Sequence, residues 1–280
     1  MLIQWYPGHM TKAKRAMKED MKLVDLVIEL TDARVPQSGR NPDIDELAKN
    51  KARVILLNKS DLADEKANRE WIASFQKQGI LAVAADARQR GFRKQMMEAI
   101  MAACKEKIER DRRRGIMNRP IRAMVVGIPN VGKSTFINSF AGKVSAKTGN
   151  KPGVTRGNQW IRIDDRLELL DTPGILWPKF EDQTVGLHLA MIGSISDDIL
   201  PIEELAFELL KWMAEYYPDR LKERYDLDPE VEAMERMDFI AKKRGCLKKG
   251  GEPDYEKAAR QILDDYRSGR LGRISLERVQ

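Results

Sequence analysis

The chain has 280 residues, a formal net charge of +7, a pI near 9.3 and only two cysteines. This length predicts about two domains, each long enough to bury a core without disulfides. Two cysteines without metal-ligand spacing argue against a secreted disulfide scaffold, and no apolar run reaches the roughly 18 residues of a membrane helix. Because the first residues also lack a leader pattern, we expect a cytoplasmic protein with no membrane span.

The basic residues are clustered rather than spread evenly. Residues 105–122 contain eight basic and three acidic side chains, whereas residues 211–238 contain nine acidic and five basic ones. A further group has no acid between its members: Lys242, Lys243, Arg244, Lys248 and Lys249. This asymmetry favours a polyanionic partner, although charge runs are also typical of ordinary solvated surface.

In chain order, the first predicted element is an amphipathic helix over residues 10–24. Its apolar positions follow helical spacing, and its basic residues, from Lys12 to Lys22, occupy the other faces. A turn at Pro7-Gly8 would place His9 at the start of this helix. The pattern alone is explained equally well by a solvated surface helix.

Strand candidates over 23–30 and 53–57 follow, and the second ends in Asn58-Lys59-Ser60-Asp61. These residues fit the N-K-x-D guanine-recognition pattern. The Asp61 carboxylate can accept both adjacent N–H groups of guanine, Asn58 can address its six-position, and the stem of Lys59 can cover the base. Four residues alone are a weak signal, but the preceding strand and a phosphate loop elsewhere make it strong.

A third strand is predicted over 80–85, and Asp86-Ala87 follows where such folds place a loop under the base. The match is poor because the usual Ser-Ala pair is absent. A helix is predicted over 92–110, and a connector over 111–120 ends at a proline.

Residues 127–134 fit the phosphate-loop pattern G-x-x-x-x-G-K-[ST], between a strand candidate over 121–126 and a helix candidate over 135–141. Glycines let backbone N–H groups surround phosphate oxygens, Lys133 supplies charge to the outer phosphates, and Ser134 offers a hydroxyl to Mg²⁺. The predicted nucleotide-binding residues here are Asn130, Val131, Gly132, Lys133, Ser134 and Thr135.

The switch candidates come next. Residues 143–158 are rich in Gly, Thr, Ser and Lys, and Thr155 is the candidate to close on Mg²⁺ and the terminal phosphate. A hairpin over 160–170 leads into Asp171-Thr172-Pro173-Gly174, the D-x-x-G pattern. Asp171 would hold Mg²⁺ through water, and the Gly174 N–H would sense the terminal phosphate.

From about residue 177 the pattern is helical, clearest over 205–217 and 255–266. We therefore predict an α/β domain over 1–178, followed by a smaller all-α domain over 179–280. The base-reading motif precedes the phosphate loop, the reverse of the usual order. A doubly wound, mostly parallel sheet tolerates this because the site needs its loops together in space, so the first domain is predicted to be a circularly permuted P-loop GTPase.

The whole chain resembles the ribosome biogenesis GTPase A family of bacterial circularly permuted GTPases. The motifs that carry the resemblance are W-Y-P-G-H-M, T-D-A-R-V-P, N-K-S-D, G-I-P-N-V-G-K-S, P-G-V-T, D-T-P-G, R-G-C and G-R-I-S-L-E. The resemblance implies a GTPase that binds the precursor of the large ribosomal subunit and its rRNA in the GTP state and is released after hydrolysis. We expect a monomer, with the basic clusters at 12–22 and 242–249 on the rRNA.

The resemblance also bears on hydrolysis. Ras-like switches place a water-orienting Gln directly after D-x-x-G, where this chain has Ile175, which offers no side-chain hydrogen bond. A slow intrinsic rate follows, with stimulation by the particle. The family points to His9 as the group that orients water, beside Lys133 and Thr155, although a histidine near a turn is also an ordinary helix-start residue. Related permuted GTPases use the phosphate-loop Asn to hold a K⁺ ion, but Asn130 also suits the turn geometry by itself.

Two other functions remain open from the sequence. The chain could be an RNA-binding scaffold that uses nucleotide as a structural ligand, which predicts turnover that ribosomal particles do not accelerate. It could also be an ATPase with a fortuitous N-K-S-D, which competition between ATP and GTP would reveal.

Overall fold

The computed structural model describes residues 3, 8–117, 119–142, 159–228 and 230–279, without the side chains of His9 and Met234. Its centre is a six-stranded sheet. The strands are β1 (Leu26–Asp32), β2 (Ala52–Asn58), β3 (Leu81–Ala85), β4 (Ile121–Gly127), β5 (Gln159–Asp164) and β6 (Leu167–Asp171). Their order is β3-β2-β1-β4-β6-β5, and only β5 runs antiparallel to its neighbour. The predicted doubly wound, mostly parallel sheet is confirmed.

Helices make up most of the remaining described structure. They are α1 (Gly8–Asp20), α2 (Pro42–Leu47), α3 (Glu65–Lys77), α4 (Phe92–Ala103), α5 (Lys105–Arg113), α6 (Lys133–Ala141), α7 (Gln183–Met191), α8 (Ile202–Tyr216), α9 (Pro218–Tyr225), α10 (Ala233–Lys243) and α11 (Tyr255–Arg267). Three short 3₁₀ turns cover Met21–Leu23, Ser60–Leu62 and Asp197–Ile199.

The central strand explains why the sheet is covered on both faces. Every residue of β1 is buried, so it has no solvent face and no alternation of apolar and polar residues. Parallel strands between two helical layers have this pattern. The paired strands β2 and β4 continue the core, and one hydrophobic cluster extends from the sheet through α7 to α11.

Several predicted boundaries were wrong. The helix predicted over 10–24 runs over Gly8–Asp20 and is followed by the 3₁₀ turn Met21–Leu23. The helix predicted over 92–110 is divided at Cys104, whose φ of −96° and ψ of 9° interrupt the helical geometry between α4 and α5. The bend keeps the backbone hydrogen bonds at this point, because the Cys104 N–H donates to the Ile100 carbonyl and the Ile108 N–H donates to the Cys104 carbonyl. The second helix then runs through Arg113, into the predicted connector. The first strand begins at Leu26 rather than residue 23, because Leu23, which is 52% exposed, ends the 3₁₀ turn Met21–Leu23.

After β6 the described residues form helices, turns and one isolated bridge between Leu247 and Pro253. Helix α8 packs against α11, α10, α9 and α7. Across the described parts of the chain, no helix combines the length and the apolarity needed to cross a membrane.

Candidate nucleotide site

The loops that carry the predicted motifs meet at the carboxyl edge of the sheet. Register pairs Asp32 with Asn58 at the ends of β1 and β2, and Asn58 with Ala85 at the end of β3. On the other side of β1, Gly127 lies opposite Leu30, and Asp171 lies opposite Val125. Strand order in space therefore brings the base-reading and phosphate-binding motifs together, although their order in the chain is reversed.

Two glycines of the phosphate loop cannot be replaced without a collision. Gly127 has a φ of 154°, and an added Cβ would lie 2.5 Å from the Leu30 carbonyl oxygen. Gly132 has a φ of 96°, and its Cβ would lie 2.5 Å from Nδ2 of Asn58. Gly132 is also the residue before α6, whose first turn contains Lys133, Ser134 and Thr135. The loop therefore packs closely on the sheet and leads directly into a helix N-terminus, as phosphate binding requires.

Lys133 is held inside the loop. Its ammonium group donates to the carbonyl oxygens of Gly127 and Ile128, both at 2.9 Å, and the residue is 7% exposed. Burial lowers the pKa of Lys133 to about 8, because a charge is costly away from water, although Asp171 opposes this. Phosphate oxygens would supply the counter-charge that these neutral carbonyls do not.

Asp171 ends β6 beside that lysine. Burial raises the pKa of Asp171 to about 6, against the opposing charge of Lys133. Its Oδ1 atom is buried and has no hydrogen-bond partner among the described residues. The next residue, Thr172, is anchored by its hydroxyl to the Val125 carbonyl at 2.7 Å. A Cβ added to Gly174 would lie 2.8 Å from Nζ of Lys133 and 2.9 Å from the Pro129 nitrogen, so D-x-x-G lies against the phosphate loop.

The donor set at this position fits Mg²⁺. Within the described ranges, no group of three or more His, Cys, Asp or Glu side chains could hold a metal ion unaided. Mg²⁺ is usually bound by one or two carboxylates together with substrate phosphates. Asp171, with its unpartnered oxygen, and the hydroxyl of Ser134 suit that mode, in which the nucleotide completes the coordination. Thr155 lies outside the described residues.

Asn58 joins three loops. Its Nδ2 donates to the Val131 carbonyl at 2.8 Å, and its Oδ1 accepts from the Ala87 N–H at 3.2 Å. Asn58, Val131 and Ala87 are all buried. Both ends of the amide are thus bonded to protein in this structure, so Asn58 fixes the base loops relative to the phosphate loop.

Lys59 connects the same two regions. It has a left-handed backbone (φ 56°), and its ammonium group donates to the Asn130 carbonyl at 2.9 Å and lies 3.1 Å from Oδ2 of Asp32. Burial lowers the pKa of Lys59, although the charge of Asp32 opposes this. The side chain therefore spans the gap between β1, β2 and the phosphate loop, where its stem can form one wall of a base pocket.

Asp61 is already engaged by an arginine that the sequence did not indicate. Nη2 of Arg88 donates to Oδ2 of Asp61 at 3.0 Å and to Oδ2 of Asp86 at 2.9 Å. The other oxygen of Asp61, Oδ1, is buried without a partner among the described residues. Asp86, predicted to lie under the base, thus holds Arg88 beside the carboxylate that would read guanine.

A buried ion pair lies behind the base loop. Asp32 and Arg34 are at most 1% exposed and form two hydrogen bonds of 2.8 Å. Burial by itself would raise the pKa of Asp32, but the charges of Arg34 and Lys59 outweigh it and hold that pKa below its usual value. These residues belong to the T-D-A-R-V-P motif, residues 31–36, whose sequence alone does not indicate a buried ion pair.

The remaining predicted residues are placed as follows. The Asn130 backbone is left-handed (φ 58°), and its Nδ2 donates to the Gly193 carbonyl at 2.7 Å, which ties the loop after α7 to the phosphate loop. A K⁺ ion beside Asn130 stays a prediction.

Ile175 is 2% exposed and belongs to the hydrophobic core, so its side chain offers the site no hydrogen-bonding group. His9 is the second residue of α1, and its side chain lies outside the described structure.

A phosphate loop, a D-x-x-G turn and an N-K-x-D loop at one sheet edge, with the base reader first in the chain, define a circularly permuted P-loop GTPase. The family profile described as "50S ribosome-binding GTPase" matches residues 122–238. Ribosome biogenesis GTPase A of Bacillus cereus is 52% identical to this chain, covering 99% of it and 94% of that protein. The Thermotoga maritima protein of that name is 34% identical, covering 99% and 95%.

Two solved structures have a similar fold over nearly the whole chain. A GDP-bound structure of TM YlqF superposes with a TM-score of 0.72 at 30% identity and covers 94% of this chain and 99% of that one. A GNP-bound YlqF from T. maritima gives a TM-score of 0.67, also at 30% identity, with coverage of 95% and 98%. The chain belongs to the ribosome biogenesis GTPase A family, and it is a GTPase that acts in ribosome biogenesis.

Proposed function

We propose that this GTPase acts on the precursor of the large ribosomal subunit, binds its rRNA in the GTP state and is released after hydrolysis. The observation that carries the proposal is the match of residues 122–238 to a family of 50S ribosome-binding GTPases, over the segment that contains the phosphate loop and D-x-x-G. The absence of a polar side chain at Ile175 suits a switch that hydrolyses slowly until a partner completes its site. We place this activity in the cytoplasm, with the protein as a monomer.

Residues 179–280 are proposed as the ribosome-binding domain. Lys242, Lys248 and Lys249 are exposed there, and none has a side-chain ion pair with a described residue. Lys243 differs, because it lies 3.0 Å from Oδ2 of Asp226. Three unneutralised charges on one segment suit phosphate contacts, which give affinity that falls with salt.

Within the nucleotide site, we propose that Asp61 reads guanine, that Gly132, Lys133 and Ser134 hold phosphates and Mg²⁺, and that Asp171, Gly174 and Thr155 act as the switch. The unpartnered buried oxygens of Asp61 and Asp171 support the first and third assignments. The predicted catalytic role of His9 rests on the family resemblance.

The decisive experiment measures GTP turnover by this protein with purified large-subunit precursor particles, with small-subunit particles and without either. We expect strong acceleration by the large-subunit precursor alone. Equal turnover in all three would favour an RNA-binding scaffold with a structural nucleotide and would overturn the proposed function.

A charge-reversal triple variant locates the contact. Changing Lys242, Lys248 and Lys249 to Glu should reduce particle-stimulated turnover and leave intrinsic turnover unchanged. The matched control reverses three exposed lysines outside residues 179–280, Lys49, Lys77 and Lys94, and should keep stimulation. Equal losses in both variants would show that only net charge matters.

A further inference from the structure

Two motifs without an assigned chemical role meet in the structure. Residues 272–277 (G-R-I-S-L-E) run past the base-reading loop and along residues 31–36 (T-D-A-R-V-P), which form the end of β1 and the start of the loop after it. The Ile274 N–H donates to the Leu62 carbonyl at 2.9 Å, and the Leu276 N–H donates to the Arg34 carbonyl at 2.9 Å. Ile274, Ser275 and Leu276 are all at most 2% exposed. This segment is therefore a packed part of the nucleotide-binding half.

The segment holds the turn that carries Asp61 at two points. Leu62 directly follows Asp61 in the 3₁₀ turn Ser60–Leu62, and its carbonyl accepts from Ile274. The Asp64 N–H donates to the Ser275 hydroxyl at 3.1 Å. Because Asp64 also caps α3, with its Oδ1 accepting from Lys66 and Ala67, the turn is fixed between a helix start and residues 274–275.

The other side of the base loop is supported through Arg34. Its carbonyl accepts from Leu276, while its guanidinium holds Asp32, the carboxylate that faces Lys59. Further along, the Glu277 carboxylate accepts the N–H groups of Gln37 at 2.6 Å and Ser38 at 2.9 Å. The loop that carries Asp61 and the loop after β1 are thus both hydrogen-bonded to residues 274–277.

The segment is itself anchored to the helical part of the chain. The Ser275 carbonyl accepts from Nε1 of Trp212 at 3.3 Å and from the hydroxyl of Tyr217 at 3.2 Å. Nδ1 of His188, in α7, lies 3.1 Å from Oε1 of Glu277. Because these contacts come from α7, from α8 and from the residue directly after α8, residues 274–277 cannot shift independently of those two helices.

We propose that residues 274–277 position the guanine-reading loop, fixing the Asp61 carboxylate in the orientation that accepts the two adjacent N–H groups of guanine. Ser275 is the central positioning residue, because its side chain contacts the base loop while its backbone contacts α8. This inference rests on the proposed guanine site at Asp61. A carboxylate accepts two parallel donors only in a narrow geometry, so loosening its turn costs base selectivity before it costs phosphate binding.

The test compares GDP with inosine diphosphate, which lacks the exocyclic amine and offers Asp61 one hydrogen bond fewer. Calorimetry gives both dissociation constants for the full chain. In Ser275→Ala the Asp64 N–H loses its acceptor, and we expect the ratio of GDP affinity to inosine diphosphate affinity to fall about three- to tenfold. The control Ser268→Ala removes a hydroxyl that bonds only within α11 and its last turn, and should keep the ratio.

The outcomes separate the positioning role from the guanine site itself. If Ser275→Ala leaves the ratio of the two affinities unchanged, even while weakening the binding of both diphosphates, the positioning role is overturned. Asp61→Asn is measured in parallel. If the unmodified protein does not distinguish the two diphosphates and Asp61→Asn does not change either affinity, the proposed guanine site at Asp61 is itself overturned.

Hydrogen exchange on the unmodified protein tests the same coupling without a variant. GDP binding to Asp61 should slow exchange of the Ile274 and Leu276 amides, since coupling between two sites is reciprocal. Inosine diphosphate should slow them less. Identical protection with GDP, with inosine diphosphate and with no nucleotide would overturn the proposal.

Discussion

The phosphate half and the base half of the site are built differently. Around Lys133 and Asp171, short-range contacts within the loop and its neighbouring strands leave charged groups poorly compensated: a lysine bonded to neutral carbonyls and a carboxylate with an unpartnered oxygen. Around Asp61, the charges are already paired, Lys59 with Asp32 and Asp61 with Arg88, although Oδ1 of Asp61 is also buried without a partner among the described residues. The phosphate half therefore gains charge compensation on binding, whereas the base half must exchange partners.

The two halves also obtain their shapes from different parts of the chain. The phosphate loop has local determinants, two glycines with positive φ and a helix that begins at Lys133. It is also held from outside by hydrogen bonds that join Asn58 to Val131 and Asn130 to Gly193. The base loop depends on residues about two hundred positions away, which reach Leu62, Arg34 and Ser38 from 274–277. Changes to the second half should therefore combine lost selectivity with lost stability.

The largest expected effect comes from the buried pair behind the base loop. Asp32→Asn leaves the Arg34 guanidinium buried without its counter-charge and should lower the free energy of unfolding by about 3–5 kcal/mol, measured by urea denaturation. The control Asp165→Asn breaks another aspartate–arginine pair, but Asp165 is 95% exposed and the change should cost far less. Equal costs would contradict the buried-pair account.

The same pair sets a pH dependence. Because the folded-state pKa of Asp32 lies below its ordinary 3.8, its ionised form stabilises the fold fully above that value. The stabilisation is lost as the pH falls from 3.8 towards the lower folded pKa. The stability difference between the unmodified protein and Asp32→Asn should therefore shrink in that acidic range and stay constant near neutrality.

Sequence reasoning reached the fold and the motifs but not their supports. The phosphate loop was predictable because pattern, strand and helix are contiguous. Arg34 donates to the Tyr266 carbonyl, 232 positions away, and no local periodicity encodes such a contact. Helix α3 was missed although Asp64 is a capping residue and Trp71 and Phe75 face the core. The division of 92–110 at Cys104 has no Gly or Pro to signal it.

Lys133→Ala tests the phosphate half. Removing the ammonium group should weaken GDP binding at least about 100-fold, measured by calorimetry, because it is the charge that compensates the outer phosphates. Burial of the ammonium group lowers the pKa of Lys133 and opposes its charge in the ligand-free protein, so we expect no fall in the melting temperature without nucleotide. The control Lys77→Ala should change neither quantity. A large drop in melting temperature would show that Lys133 is structural.

Asp61→Asn tests the base half through its chemistry. An amide presents a donor where the carboxylate presented an acceptor, so guanine should bind about 10- to 100-fold more weakly and xanthosine diphosphate should bind more tightly than before. The control Asp86→Asn alters the other carboxylate that holds Arg88 and should keep the preference for guanine. If Asp86→Asn switched the preference instead, the base-reading carboxylate would be Asp86.

Arg88→Ala gives the smallest effect and sharpens the contrast between the halves. Because guanine must displace Arg88 from Asp61, removing the arginine should raise GDP affinity about two- to fivefold, the scale of an exposed ion pair. Salt should reduce this advantage, since screening weakens the Arg88–Asp61 contact in the unmodified protein. Arg69 is about as exposed as Arg88 and pairs with the more exposed Glu65 on α3, so Arg69→Ala serves as the control. A fall in GDP affinity would instead place Arg88 on the bound nucleotide, and the base half would then gain charge compensation on binding as the phosphate half does.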